Sequence, residues 1–124
     1  MTVLIDSWAW IEYFQGSDAG KSVNGYLECG DRIIISSLNV AEVFRQILAK
    51  RSKKDAVEAL EYMLGVSFVF PVTTDIAVEA AIIRHEKKWR LGDSIVMATA
   101  KSQNARLLTG DSDFRSEKDV LFIG

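Results

Sequence analysis

The stretch Leu107-Leu-Thr-Gly-Asp-Ser-Asp-Phe114 decides the predicted fold of this chain. It predicts a short buried strand, Leu107–Thr109, that stops at a glycine and continues into a loop carrying the carboxylates of Asp111 and Asp113. In an open parallel α/β sheet, the loops after the carboxyl ends of the strands form the ligand crevice. Because Gly-Asp-Ser-Asp is also a common turn sequence, a functional interpretation requires other acidic residues in equivalent positions.

The composition predicts one globular domain over residues 1–124. Of the residues, 48% are hydrophobic and 26% are charged, and a single proline argues against a disordered linker. Met1–Trp10 has neither a basic segment nor a long apolar run, so neither a signal peptide nor a membrane span is predicted there. The single Cys29 excludes an internal disulfide and favours a cytoplasmic setting.

Apolar runs predict strands, and the amphipathic stretches between them predict helices. The predicted strands are Thr2–Asp6, Ile33–Ser36, Phe68–Val72, Arg106–Thr109 and Val120–Ile123. The main predicted helices run from Ser36 or Ser37 to about Arg51, from Thr73 or Thr74 to about Trp89, and from Asp93 to about Ser102. Strands without apolar–polar alternation are typical of sheets covered on both faces, so the order of elements predicts a parallel-sheet α/β domain.

Four acidic residues follow predicted strands directly or lie in the first turns of the next helices. They are Asp6, Glu42, Asp93 and Asp111. Each has an ordinary alternative: Asp6 and Asp93 as helix caps, and Glu42 as an exposed acid near a positive helix N-terminus. Capping acids alone would be distributed over both ends of a sheet, whereas these four are predicted at one edge.

Converging carboxylates need a compensating partner. Two of them about 4 Å apart repel by roughly 1 kcal/mol in water and about 4 kcal/mol at an effective dielectric constant near 20. Protons or a hard cation relieve that repulsion, and a set of oxygen ligands without histidine or paired cysteine favours Mg²⁺ or Mn²⁺ over Zn²⁺. Such an ion lowers the pKa of a bound water and neutralises charge on a phosphoryl oxygen, which suits hydrolysis of a phosphodiester.

The net charge of −2 hides an uneven distribution. If Asp6, Glu42, Asp93, Asp111 and Asp113 form one cluster, 12 acids remain against 15 lysines and arginines. A basic surface around an acidic, cation-binding pocket is compatible with a polyanionic substrate.

Four segments that contain these acids resemble the successive motifs of PIN domains. They are Val3-Leu-Ile-Asp-Ser-Trp-Ala-Trp-Ile-Glu-Tyr13, Ile35-Ser-Ser-Leu-Asn-Val-Ala-Glu42, Asp93-Ser-Ile-Val-Met-Ala-Thr-Ala100 and Leu108-Thr-Gly-Asp-Ser-Asp-Phe114. No single motif is specific, but their order and spacing are, and the likeness spans nearly the whole chain. It is greatest to the small single-domain ribonucleases of the VapC type, the toxins of toxin–antitoxin pairs.

The resemblance implies a three-layer α/β/α fold with a five-stranded parallel sheet, a homodimer and metal-dependent cleavage of RNA. It implies that Asp6, Asp93 and Asp111 hold Mg²⁺ or Mn²⁺, with Asp113 as a further ligand. Glu42 then orients or deprotonates the attacking water.

The resemblance also extends to supporting residues and partners. Thr109 matches a hydroxyl residue that supports the acidic quartet in such proteins. Basic residues expected along the RNA path are Arg45, Lys50, Arg51 and Lys88. A VapB-type antitoxin that places a basic side chain in the acidic pocket is a further expectation.

Other functions compete with this interpretation. Phosphatases that form a phospho-aspartate need a second acid two residues after the first, but Asp6 is followed by Ser7 and Trp8. A receiver-type domain lacks its paired acid before Asp6. Two alternatives stay open: a PIN-like module that binds RNA or a partner without cleavage, and an RNA-processing nuclease without an antitoxin.

Overall fold

The computed structural model describes all residues from Met1 to Gly124. Its strands are β1 (Thr2–Ile5), β2 (Arg32–Ser36), β3 (Phe68–Phe70), β4 (Arg106–Thr109) and β5 (Val120–Phe122). Its helices are α1 (Ser7–Gln15), α2 (Asp18–Glu28), α3 (Ser37–Lys50), α4 (Lys53–Val66), α5 (Thr74–Lys87) and α6 (Leu91–Ser102). All neighbouring strands pair in parallel in the order β3-β2-β1-β4-β5. The predicted α/β fold with a five-stranded parallel sheet is confirmed.

Two hydrophobic cores cover the two faces of the sheet. Val3 and Ile5 of β1 point into a core shared with α1, α2, α3 and α4. Leu4 points the other way, into a core shared with α5 and α6. Successive side chains of a strand alternate between faces, so an apolar run without alternation fills both cores and produces three layers. None of the helices combines the length and the hydropathy that crossing a membrane requires.

Polar caps start three of the helices at the carboxyl edge of the sheet. Asp6 accepts a hydrogen bond from the amide of Ala9 and caps α1, while Ser36 caps α3 within a capping box. Thr73 caps α5 in the same way. Helix α6 differs, because its N-cap residue Arg90 makes no side-chain capping bond. The edge where the strands end is therefore also the edge where these helices begin.

The structure corrects three predicted boundaries. Strand β3 ends at Phe70, before Pro71, because proline has no amide hydrogen to donate to a sheet. Helix α5 ends at Lys87, and Lys88 adopts a left-handed conformation with φ of 62°. Trp89 then turns inward and packs edge-on against Phe114, with the ring centroids 4.9 Å apart. Helix α6 begins two residues before Asp93, so that acid is not its cap.

Candidate functional site

The four acidic residues predicted at one edge of the sheet meet in one cleft at its carboxyl edge. This acidic cleft has a volume of about 400 Å³, and its lining includes Asp6, Glu42, Asp93 and Asp111. Asp6 and Asp111 follow the adjacent strands β1 and β4, whereas Glu42 and Asp93 project from early turns of α3 and α6. The parallel topology brings together residues that lie up to 105 positions apart, from 6 to 111, in the sequence.

Asp6 is the most buried of these acids, with only 6% of its surface exposed. Its Oδ1 atom accepts a hydrogen bond of 3.0 Å from the Ala9 amide. Burial raises the pKa of Asp6 from its ordinary 3.8 to about 7, against the opposing effects of the Thr109 hydroxyl and the Ala9 amide. The charges of Asp111 and Asp93 raise this pKa further. An ionised Asp6 therefore calls for a cation nearby.

Asp93, in the first turn of α6, has a similar electrostatic environment. Burial raises its pKa to about 6, and the charges of Asp111 and Asp113 add to the effect, which Arg90 partly offsets. Its Oδ2 atom is buried and has no hydrogen-bond partner. A buried carboxylate oxygen without a partner is costly unless a proton or a cation satisfies it.

The loop after β4 completes the acidic cluster. One carboxylate oxygen from each of Asp93, Asp111 and Asp113 can be chosen so that all three lie within 4.8 Å of one another. The buried Thr109 hydroxyl accepts a bond of 3.0 Å from the Asp111 amide, and Asp111 Oδ1 accepts one of 3.0 Å from the Asp113 amide. The segment is thus both a tight turn and part of the site. The two interpretations of Gly-Asp-Ser-Asp, as a turn and as a functional loop, are therefore compatible.

Gly110 allows this turn to pack closely. A Cβ atom at this position would overlap the ring of Trp8 and approach the backbone of Gly124. The glycine that ends the predicted strand is therefore required by a close approach of α1 to the loop that presents Asp111.

Glu42 lies at the mouth of the cleft on an exposed part of α3, off the apolar stripe of the helix. Its Oε1 atom accepts a hydrogen bond of 2.7 Å from the hydroxyl of Ser7. Its Oε2 atom lies 3.5 Å from the position that a Cβ of Gly92 would occupy. The Glu42 carboxylate is thereby held between the start of α1 and the start of α6, one residue from Asp93.

Sequence reasoning assigned no role to six further polar residues that line the cleft. They are Ser7, Glu12, Gln15, Asn39, Gln46 and Arg90. Asn39 is fully buried and donates a bond of 3.0 Å to Ser7, although the two are 32 residues apart. Ser7 follows Asp6 directly, and Asn39 lies three residues before Glu42, both inside the quoted motif segments. That position was the only feature of the sequence that could have indicated a role in the site. Arg90 was not among the basic residues predicted along the RNA path.

The four predicted RNA-contacting cations are not all near the cleft. Lys50 lines it. Arg45, Arg51 and Lys88 are exposed but do not line it. The last turns of α3 and the N-cap of α6 therefore bring one lysine, Lys50, and one arginine, Arg90, to the walls of an otherwise acidic cleft.

A second cavity adjoins the acidic cleft between α1, α3 and α4. This aromatic groove has a volume of about 370 Å³, and its rings are those of Tyr13, Phe14 and Tyr62. Tyr13 and Tyr62 stack at 5.5 Å and join their hydroxyls at 3.1 Å. Partial burial raises the pKa of Tyr62 to about 12. The residues shared by the groove and the cleft are Ile11, Gln15, Gln46 and Lys50.

Solved structures share this fold over nearly the whole chain. A toxin–antitoxin complex from Klebsiella pneumoniae matches with a TM-score of 0.81 at 23% identity, covering 98% of both chains. VapBC-1 from nontypeable Haemophilus influenzae matches with a TM-score of 0.77 at 18% identity, covering 98% of this chain and 96% of that one. VapC20 from Mycobacterium tuberculosis, described as a sarcin–ricin loop cleaving toxin, matches with a TM-score of 0.71 at 19% identity, covering 95% and 98%.

Comparison of the sequence with family models identifies the family. No curated protein matches the chain in sequence. The family model of the PIN domain matches residues 3–118, which include the acidic cleft and both hydrophobic cores. The protein therefore belongs to the PIN domain family.

Proposed function

We propose that this protein is a metal-dependent endoribonuclease and the toxin of a toxin–antitoxin pair. The observation that carries the proposal is the convergence of Asp6, Glu42, Asp93 and Asp111 in one cleft. Membership of the PIN domain family supports nuclease activity. The likeness to VapC20, which is described as cleaving the sarcin–ricin loop, supports RNA as the substrate class. We take residues 1–124 as one functional PIN domain.

Asp6, Asp93 and Asp111 are proposed to hold Mg²⁺ or Mn²⁺, with Asp113 as a further ligand. The fit rests on the unpartnered buried Oδ2 atom of Asp93 and on the oxygen atoms of Asp93, Asp111 and Asp113, which lie within 4.8 Å of one another. Asp6 is added because, beyond burial, the charges of Asp111 and Asp93 raise its pKa. Only carboxylates are offered, which suits these hard cations. When bound, such an ion neutralises phosphoryl charge and increases the acidity of a water ligand.

Glu42 is proposed to orient the attacking water and accept its proton. Its carboxylate is held by Ser7 at the mouth of the cleft, where it faces solvent more than the other acids of the quartet do. Lys50 and Arg90 are proposed to contact the phosphates of RNA on either side of the scissile bond, because they are the two cations that line the cleft. Phosphate contacts of this kind position the nucleic acid without reading its sequence.

An antitoxin is proposed to occupy the aromatic groove and to extend into the acidic cleft. Several structures of the same fold are toxin–antitoxin complexes, which supports such a partner. A peptide in the groove reaches the cleft without a gap, since Gln46 and Lys50 line both cavities. A basic side chain at the end of that peptide would complement the carboxylates there.

A homodimer is proposed to form through an apolar face of α5. Val78 and Ile82 lie one helical turn apart on that helix and are 56% and 46% exposed. Neighbouring exposed apolar side chains are a common feature of subunit interfaces. Analytical ultracentrifugation of wild type and Ile82→Lys tests this proposal: a dimer that the variant converts to a monomer supports it, and an unchanged mass rejects the α5 face. A cytoplasmic setting stays a prediction.

The decisive experiment compares wild type, Asp6→Asn and Asp75→Asn on a mixed pool of structured RNAs with EDTA, Mg²⁺ or Mn²⁺. Asp75 is an exposed acid of α5 outside the cleft and serves as the matched control. Cleavage by wild type and Asp75→Asn that needs the metal and disappears in Asp6→Asn supports the proposal. Equal cleavage by all three proteins contradicts the assignment of the site, and no cleavage by any favours a binding module without activity.

A further inference from the structure

The Glu42 side chain is exposed, yet a hydrogen bond from another helix holds it. A glutamate on the solvent side of a helix normally samples several rotamers, and holding it still costs side-chain entropy. Here Oε1 of Glu42 accepts a hydrogen bond of 2.7 Å from Ser7, which belongs to a different helix 35 residues away. A contact between α1 and α3 thus fixes a side chain that α3 alone would leave free.

Asn39 determines the direction of that hydrogen bond. The Oδ1 atom of this fully buried amide accepts a bond of 2.8 Å from the backbone amide of Ser36. Because Oδ1 must face that donor, the NH₂ group of Asn39 faces Ser7 and donates to its hydroxyl at 3.0 Å. Ser7 has a single proton, and with its oxygen already accepting from Asn39, that proton is directed to Glu42.

Helix capping does not account for this arrangement. The capping box of α3 uses Oδ1 of Asn39 and the hydroxyl of Ser36, and it leaves the NH₂ group of Asn39 free for another role. Asp6 caps α1 through the Ala9 amide, so Ser7 is not needed as a cap. Both helices would be complete at their N-termini if Ser7 did not contact Glu42.

We propose that Ser7, oriented by Asn39, is a positioning residue that holds the Glu42 carboxylate for proton acceptance at the cleft. The inference rests on the proposed nuclease function and adds a specific device to it. Ser7 occupies Oε1, so that Oε2, beside the first turn of α6, is the oxygen left for the attacking water. In this role Asn39 and Ser7 act through Glu42 and not on the reacting atoms.

The kinetic test uses Ser7→Ala, Ser7→Thr, Glu42→Gln and the double variant Ser7→Ala/Glu42→Gln. Ser102→Ala is the control, because that exposed hydroxyl bonds only near the far end of α6. Ser7→Ala should lower kcat by about 10- to 100-fold with little change in KM, as is typical for residues that orient a functional group. Ser7→Thr should recover most of the rate, and Ser102→Ala should match wild type.

The double variant separates positioning from a direct role. If Ser7 acts through Glu42, the double variant cleaves no more slowly than Glu42→Gln alone. The effects of the two substitutions are then not additive, because both remove the function of the same carboxylate. Losses that multiply would show that Ser7 acts independently, and a Ser7→Ala rate equal to wild type would show that it does not act at all. Either result overturns the proposal.

A structural readout keeps the proposal testable even if the protein cleaves no RNA. Crystal structures of wild type and Ser7→Ala at matched pH should show one Glu42 rotamer in wild type and a displaced or multiple rotamer in the variant. An unchanged Glu42 carboxylate in Ser7→Ala rejects the positioning role whatever the activity. Absence of cleavage by wild type together with a displaced Glu42 would reject the nuclease function and leave the positioning role standing.

Discussion

The acidic cleft and the aromatic groove are neighbouring cavities of similar size, but the side chains of the cleft repel one another and those of the groove attract one another. Their volumes are about 400 and 370 Å³, and α1 and α3 contribute to both. The cleft gathers carboxylates whose mutual repulsion is relieved only by protons or a cation. The groove gathers rings that satisfy one another, as the stacked and hydrogen-bonded pair Tyr13 and Tyr62 shows.

This contrast indicates that the cleft, unlike the groove, lowers the stability of the fold. In the cleft, two carboxyl groups have raised pKa values and one buried oxygen atom of Asp93 lacks a partner. The other buried side-chain atom without a partner is Nε1 of Trp10, which packs behind the aromatic rings of the groove and is neutral, so it carries no charge that needs compensation. Local unfavourable energy of this kind is expected where a protein binds something that compensates it.

Removing one carboxylate from the cleft should produce the largest effect. Asp93→Asn keeps the size of the side chain but removes one of the three carboxylates whose oxygen atoms lie within 4.8 Å of one another. We therefore expect at least a 10²-fold loss of metal-dependent RNA cleavage, roughly the upper effect of outer-shell partners. Initial rates at saturating Mn²⁺ measure it, with Asp75→Asn as control. Cleavage by Asp93→Asn at the wild-type rate would remove Asp93 from the site.

The cleft should also make stability depend on pH in the direction opposite to that of ordinary carboxylates. Asp6 and Asp93 have folded-state pKa values of about 7 and 6, above the ordinary 3.8, so between about pH 4 and pH 7 the folded protein binds more protons than the unfolded chain. The free energy of unfolding therefore falls as pH rises through this window. In the absence of divalent metal, we expect the thermal unfolding midpoint to drop by roughly 5–10 °C as pH rises through this window.

Asp6→Asn provides the matched variant for this measurement. Asparagine caps a helix as well as aspartate does, so the variant keeps the bond to Ala9 and loses only the buried charge. Calorimetry in EDTA should show a smaller pH dependence for the variant and a higher midpoint near pH 8. Adding Mg²⁺ or Mn²⁺ should stabilise wild type more than Asp6→Asn. A variant that is destabilised throughout the window would contradict the assigned cause.

The sequence was informative about the cleft for a physical reason. Apolar runs without alternation specify parallel strands, and in a parallel sheet every residue that follows a strand reaches the same edge. That rule predicts the convergence of Asp6 and Asp111, which follow β1 and β4. It also brings Glu42 close, because α3 starts directly after β2. The rule does not cover Asp93, because α6 follows α5 and not a strand.

The rest of the site depends on side-chain directions that no periodicity encodes. Lys50 lines the cleft and Arg51 does not, although they are adjacent in sequence. The bonds from Asn39 to Ser7 and from Ser7 to Glu42 join two helices across more than 30 residues. Trp89 was predicted at about the end of a helix, whereas α5 ends at Lys87 and Trp89 packs against Phe114, a contact that no periodicity indicates.

Changing the one lysine that lines both cavities should have an intermediate effect. Lys50→Gln should weaken binding of a non-cleaved RNA to the Asp6→Asn protein and reduce the slope of log affinity against log salt by about 1, as loss of one phosphate contact predicts. Lys53→Gln, an exposed lysine of α4 outside both cavities, is the control. Equal salt slopes for both variants would exclude Lys50 from the RNA path.

Removing a single hydroxyl from the groove should have the smallest effect and sharpens the contrast between the two cavities. Tyr62→Phe deletes the bond of 3.1 Å to Tyr13 but keeps the stacked rings. Because that bond is largely exposed, we expect the free energy of unfolding to fall by no more than about 0.5–1.5 kcal/mol, measured by urea denaturation. RNA cleavage should be unchanged, since no atom of Tyr62 lines the cleft. A loss of cleavage in Tyr62→Phe would mean that the groove and the cleft are energetically coupled through the residues they share, and the two could then no longer be treated as separate sites.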